Sequence, residues 1–220
     1  MANQADEYDE TTMLFRTLED ANNHKMKYVF EKLPTAQASQ LSRLNITFGP
    51  YIPCDDDNCN YLQNKYGTLN STAGQIRASR YVLLPDGDDG PSRETLKTLR
   101  SRSLPFISTI FRSWYSERLQ PWLHYVPIDP RYHAIHSTAA YFTGTKHLQQ
   151  INGREVVLEA NVGDGEYLAN QGRRWAQKAL REHDMEIYLY RLLLEWGRLL
   201  HDDRDSIGYN PDAPKSGKDA

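Results

Sequence analysis

The sequence predicts an α/β fold, and three observations carry that reading. Short apolar runs at 80–84, 104–110 and 122–128 have the length and composition of strands. Turn residues and segments with helical signals separate them. The chain then closes on two segments with apolar residues at helical spacing, 165–181 and 184–201. Strands alternating with helices imply a mainly parallel sheet covered on both faces, here followed by a helical C-terminus.

Taken in order, residues 1–12 read as a disordered lead-in. Between 12 and 33, Met13, Leu14, Leu18, Met26, Val29 and Phe30 fall loosely at helical spacing, with Pro34 as a stop, which predicts a helix. Leu44-Asn45-Ile46-Thr47-Phe48 alternates apolar and polar and reads as a short strand. An acidic loop at 54–59 leads into a short helix or turn ending near Gly67. Arg80-Tyr81-Val82-Leu83-Leu84 reads as a buried strand that stops in Pro85-Asp86-Gly87-Asp88-Asp89-Gly90-Pro91. Ser92 is the expected N-cap of a helix with Leu96 and Leu99 on its apolar side and Glu94 in its first turn. Next come a strand at 104–110, a helical turn at 114–119, a strand at 122–128 and a short helix at 131–142. In the last helix Met185, Leu189, Leu192, Leu193, Trp196 and Leu200 form one apolar stripe behind Asp184 as cap. Residues 202–220 read as a disordered tail, which leaves 13–201 as the folded unit.

Composition removes several classes. At 220 residues and 39% hydrophobic, the chain has enough apolar surface to bury a core, which excludes wholesale disorder. A net charge of −3 lacks the basic surface that nucleic-acid phosphates need, so no nucleic-acid partner is expected. No apolar run reaches the roughly 18–20 residues of a membrane-spanning segment. The acidic start Met1-Ala2-Asn3-Gln4-Ala5-Asp6-Glu7 is unlike a signal peptide. Two cysteines cannot make a disulfide scaffold, and no Cys/His set has zinc spacing, so no metal is expected.

The candidate site is the loop from Asp86 to Arg93. In an open α/β sheet, ligands bind beyond the carboxyl ends of the strands, where loops lead into helix N-termini. Asp86 and Gly87 lie at such a strand end, Ser92 at the expected helix start, and Arg93 offers a planar donor fork for phosphate or carboxylate. A solvated turn with a surface arginine is the plainer alternative on spacing alone. The loop is not a P-loop, because the Gly-Lys-Ser/Thr ending is absent, and Pro91 and Lys97 exclude an EF-hand.

This loop and the segments C-terminal to it resemble glycosyltransferase family 90, the CAP-type group of capsule-associated, KDEL-motif-containing and protein O-glucosyltransferase-like enzymes. The resemblance rests on Arg80 to Gly87 followed by Arg93, and on Ser103-Leu104 through Phe111. It continues through Trp114-Tyr115-Ser116-Glu117-Arg118-Leu119-Gln120-Pro121-Trp122-Leu123-His124-Tyr125-Val126-Pro127. Gly172-Arg173-Arg174-Trp175-Ala176 and the region from Asp184 to Glu195 are similar too, so it spans roughly 40–200. Three positions depart from the family's pattern: Pro91 in place of a serine, Ile107 in place of a basic residue, and Ser113 in place of a glutamate.

The resemblance implies the Rossmann-like, donor-side domain of a two-domain GT-B glycosyltransferase. It implies a UDP-sugar as co-substrate and transfer of glucose or xylose to a glycan or protein hydroxyl. Asp86, Gly87, Ser92 and Arg93 become donor-binding residues, with Arg93 on the diphosphate. The family's catalytic base belongs to its N-terminal domain and has no counterpart here, and the length suits half of such an enzyme. The alternative is a non-catalytic donor-domain remnant that binds nucleotide or a partner. The family also implies a secretory location, and it matches Cys54 and Cys59 to a cysteine pair, against which two free thiols or metal binding stand as alternatives.

Other residues have ordinary readings. His124 is expected to be a hydrogen-bonded strand residue, and His133 and His136 to be surface residues. Trp114, Trp122, Trp175 and Trp196 are expected in the core and in helix packing, and Asn45 and Asn70 head chance glycosylation tripeptides.

Overall fold

The computed structural model of the chain describes residues 10–17, 27–44, 57, 59–60, 64, 78–87, 90–145, 149–204 and 206–207. Strands β1 (Glu10–Thr17) and β2 (Lys27–Pro34) pair antiparallel, from Glu10 opposite Pro34 to Thr17 opposite Lys27. The helix expected over 12–33 is therefore two strands, and Glu10 to Thr12 of the expected lead-in belong to the first. Period 2 decides the matter. Met13 and Phe15 are fully buried, while Leu14 and Arg16 are half-buried and Thr12 is exposed. The Thr-, Phe-, Val- and Tyr-rich composition also favours strands. Leu18 and Met26, two of the residues that give the helical spacing, lie outside the described residues, as do 45–48 of the strand expected at 44–48, residues 1–9 and 208–220 of the expected tail, and Leu44 itself is not in a strand. Pro34 closes β2 and leads into helix α1 (Thr35–Ser42), its φ of −58° suited to the entry.

The second half of the chain is built around a parallel sheet. Strands β3 (Tyr81–Pro85), β4 (Leu104–Ser108) and β5 (Val126–Pro127) lie side by side in that order. Helix α2 (Thr95–Arg100) joins the first two. Every residue of β4 is buried, as a central strand covered on both faces requires. The strand expected at 122–128 shrinks to two residues because 120–125 make a tight turn. Trp122 N donates to Tyr125 O at 2.8 Å, His124 N to Gln120 O at 3.0 Å, and Trp122 sits at φ 60°.

Helix α3 (Ile135–Thr143) precedes a hairpin of β6 (Gln149–Ile151) and β7 (Arg154–Val157). Asn152 and Gly153 both have positive φ, 49° and 76°, the backbone that a two-residue hairpin turn needs. β7 also pairs with β1, completing a four-stranded antiparallel sheet in the order β2-β1-β7-β6. This second sheet has no counterpart in the expectations from sequence. Helices α4 (Val162–Ala179) and α5 (Glu182–Leu200) follow, within three residues of their expected limits.

Packing follows from the alternation of the parallel strands. On one face Leu104, Phe106 and Val126 meet Phe142 of α3 and Leu168 of α4. On the other, Val82, Leu84 and Ile107 pack with Tyr125. Leu99 of α2 joins Ala176 and Leu180 at the end of α4. Met13, Phe15 and Ile151 of the antiparallel sheet close a further cluster against Ala38 of α1 and Ala140 of α3.

Helix α5 differs, because it has no buried residue. Its apolar stripe points to solvent, including Leu189, Leu193, Trp196 and Leu200. Asp184 is the third helical residue and not the cap. It completes a capping box with Arg181, whose guanidinium and backbone N–H hold its carboxyl down to about 2.

Candidate functional site

The loop singled out in the sequence leaves the carboxyl end of β3, beside the loop that leaves β4. Asp86 Oδ2 accepts a hydrogen bond from Ile110 N at 2.9 Å, which ties the two loops together. Its other oxygen, Oδ1, is buried and accepts nothing among the described residues. A buried carboxylate oxygen without a donor is a place for a ligand hydroxyl or amide. Sequence reasoning placed Asp86 but not Ile110. The available signal was that loops leaving adjacent parallel strands lie side by side.

Two of the expected roles change. Gly87 and Gly90 bond reciprocally, N to O at 2.8 and 3.1 Å, and pinch the loop at its base. Gly90 has the backbone that needs glycine, φ 111°, whereas Gly87 has room for a Cβ, with the nearest atom 3.9 Å away. Ser92 does not cap α2, which begins at Thr95 with Glu94 at its N-cap position. Ser92 O instead accepts from Thr95 Oγ1 at 2.8 Å, and Ser92 Oγ takes a long bond of 3.4 Å from Glu94 N. A six-residue helix with an acid at its head attracts anions weakly, so Arg93, exposed beside it, is this loop's candidate group for an anion.

Beneath the loop lies a cavity of about 50 Å³, walled by Leu84, Ser92, Thr95, Phe111 and Tyr125 among others. Pro91, Ile107 and Ser113 line it too, so the three departures noted in the sequence converge on one spot. Ile107 and Pro91 leave that spot largely apolar. The enclosed volume holds a water or two. A nucleotide would have to lie across the open mouth beside Asp86 and Arg93, and small-molecule pockets of about 300–1,000 Å³ show how much wall is lacking.

The aromatic block from Trp114 to Pro127 has a structural partner in α4. His124 is buried, its ring stacked on Trp175 at 5.3 Å between centroids and 9° between planes. Trp175 Nε1 donates to Arg118 O at 2.6 Å, and Arg118 in turn donates to Ala179 O at 3.0 Å. His124 Nδ1 accepts from Gln120 N at 3.0 Å, the hydrogen-bonded role expected of it.

Burial pushes the His124 pKa below its usual value. The unfolded chain takes up this proton near pH 6.5 while the folded chain resists it. The stabilisation is therefore complete above about pH 6.5 and is lost as pH falls toward the lower folded value. His124→Asn, whose amide oxygen can accept the same Gln120 N–H, should lose less stability than wild type in urea melts between about pH 7.5 and 5.5. Equal losses in the two proteins would show that His124 does not carry the effect.

The remaining residues separate. His133 is exposed, but His136 is buried, its Nδ1 3.2 Å from Ser42 Oγ, which corrects its assignment to the surface. Helix α3 turns that side into the seam with α1. Trp114 and Trp175 pack as expected, whereas Trp122 (56% exposed) and Trp196 (61%) do not. The first rides the outside of the 120–125 turn and the second lies on uncovered α5. Cys59 is disulfide-bonded, which removes the free-thiol reading for it, while Cys54, Asn45 and Asn70 lie outside the described residues. Among the described residues no group of three or more His, Cys, Asp or Glu is placed to hold a metal ion. No described helix is long and apolar enough to cross a membrane. No protein-family model matches the chain, and no curated protein matches it.

Proposed function

We propose that this chain is the Rossmann-like, donor-side domain of a UDP-sugar-dependent glycosyltransferase resembling family 90. The observation that carries the reading is the position of the Asp86–Arg93 loop, beyond the carboxyl ends of parallel strands β3 and β4 and tied to the next loop through Ile110. The sequential order β3-β4-β5 is also that of one half of a doubly wound sheet.

In this reading the exposed Arg93 guanidinium binds the diphosphate, and Asp86 Oδ1 accepts a hydroxyl of the ribose or sugar. During transfer the bond from the sugar's anomeric carbon to the phosphate oxygen breaks as the acceptor hydroxyl oxygen attaches. Arg93 then neutralises charge growing on departing UDP. The acceptor is a glycan or protein hydroxyl, and its proton goes to a base on another domain. Uncovered α5 gives such a domain an apolar surface to rest on.

Calorimetric titration of the chain with UDP, UDP-glucose and UDP-xylose tests the reading. Saturable heat is expected, weakened about tenfold or more in Arg93→Ala, the worth of one charge-assisted hydrogen bond. No heat at millimolar ligand, with the variant indistinguishable from wild type, would sink it. A second reading, a binding module without turnover, is favoured by the small apolar cavity where Pro91, Ile107 and Ser113 meet. Sugar transfer by the purified chain would exclude that alternative.

A further inference from the structure

We propose that the chain carries a second, independent ligand site, for a small phosphate monoester, at the amino ends of β3 and β4. A cavity of about 500 Å³ opens there, lined by Arg80, Arg102 and Arg173 together with Tyr81, Glu166 and Asn170. It lies at the opposite end of the parallel strands from Asp86. Five residues of strand place the two regions roughly 15 Å apart, so neither site depends on the other.

The architecture brings the three guanidinium groups together. Arg80 immediately precedes β3 and Arg102 lies two residues before β4, and the register sets Tyr81 beside Leu104. Leu104 N donates to Arg80 O at 2.7 Å and Ser103 Oγ to Ser79 O at 2.6 Å, which locks the two strand entries side by side. Gly165, Ala169 and Arg173 repeat at four-residue spacing along α4, so a single helix face forms the facing wall. Gly165 matters for the shape. A Cβ there would come within 3.0 Å of Tyr81 Cε1 and 3.1 Å of its hydroxyl, so glycine lets that phenol stand at the wall. Burial raises the Tyr81 pKa, so the hydroxyl stays protonated and can donate.

The chemistry points to an anion with several acceptor oxygens. Three guanidiniums face one carboxylate, Glu166, leaving two formal positive charges, 3 − 1. Among the described residues none of the three arginines is in an ion pair. Arg173 spends one N–H on Asn170 Oδ1 at 3.3 Å, while its buried Nε has no acceptor among the described residues. Buried guanidinium donors are ordinarily satisfied, and this one belongs to a wall of an open cationic cavity. A phosphate dianion balances the charge and offers oxygens for bidentate forks. The cavity is larger than a bare phosphate, which leaves room for the organic part of a monoester.

The full chain should be titrated with inorganic phosphate and with ribose 5-phosphate at constant ionic strength, followed by amide chemical shifts. Both should saturate, the monoester at the lower concentration. Arg80→Gln and Arg102→Gln each remove one fork from an exposed position and should weaken binding about tenfold with an unchanged melting temperature. Lys178→Gln, which removes an exposed cation of α4 that does not line the cavity, should leave it unchanged. Absence of saturation up to about 10 mM, or wild-type binding in both glutamine variants, overturns the proposal.

Discussion

Phe106→Ala is expected to lower the stability of the folded chain by about 3–5 kcal/mol, the cost of deleting a fully packed aromatic ring. Phe106 sits in the central strand, 3% exposed, with neighbours on both sides of β4. Its ring lies 5.8 Å from that of Tyr81 and 5.7 Å from that of Phe142, and those two are 5.6 Å apart. Deletion therefore removes transfer energy and two ring contacts, and it leaves a void bounded by β3, α3 and α4 that strands held on both sides cannot collapse to fill. Phe106→Leu keeps most of the volume and should cost less than about 1.5 kcal/mol. Urea midpoints at unchanged slope give both numbers. A loss below about 1 kcal/mol for the alanine variant would mean that this face of the sheet is not packed as described. The consequence reaches the candidate site, because β4 carries the loop whose Ile110 N–H holds Asp86.

What the sequence disclosed and what it concealed divide along physical lines. β3 and β4 are legible because their apolar runs are short and rich in branched or aromatic residues, the first stopping in Pro85-Asp86-Gly87 and the second flanked by Ser103 and Thr109. β1 and β2 are not, because the apolar residues of two strands, read across the intervening segment, imitate a 3.6 period. β6 and β7 concealed themselves differently. Their turn, Asn152-Gly153, is a strong hairpin signal, but it is flanked by Gln149-Gln150 and Arg154-Glu155, polar as an edge hairpin tolerates. The loop from Asp86 to Arg93 is legible from its place between a strand end and a helix start, from its glycines and from Arg93. The cavity's smallness was not legible, because it depends on how Ile107, Phe111 and Tyr125 fill the space beneath. Aromatic size likewise predicts burial only on average, and Trp122 and Trp196 are exposed because of a local turn and an uncovered helix.

Gly172→Ala supplies the other large effect, and its sign runs against helix propensity. In an exposed helix interior, alanine in place of glycine stabilises by roughly 0.5–1 kcal/mol. At Gly172 an added Cβ would collide with the His124 carbonyl oxygen, and it would sit 3.3 Å from Leu99 Cδ2. The oxygen is backbone, so relief requires α4 to move away from the 120–125 turn. That movement would loosen the Trp175 stack on His124 and the Trp175 bond to Arg118 O. Overpacking of this kind costs about 1–3 kcal/mol, enough to reverse the propensity gain. Gly163→Ala, near the start of the same helix, is the internal control, since its Cβ meets nothing within 4 Å. It should be neutral or stabilising by up to about 1 kcal/mol. Thermal melts of the two variants should therefore move in opposite directions, and a stabilised Gly172→Ala would mean that α4 does not press on His124. The same contact gives the Gly172–Ala176 segment a physical purpose. Glycine admits the carbonyl, Trp175 stacks on the histidine, and fully buried Ala176 packs with Leu99. These residues dock the aromatic block beneath the β3 and β4 loops, so they position the candidate site from outside it.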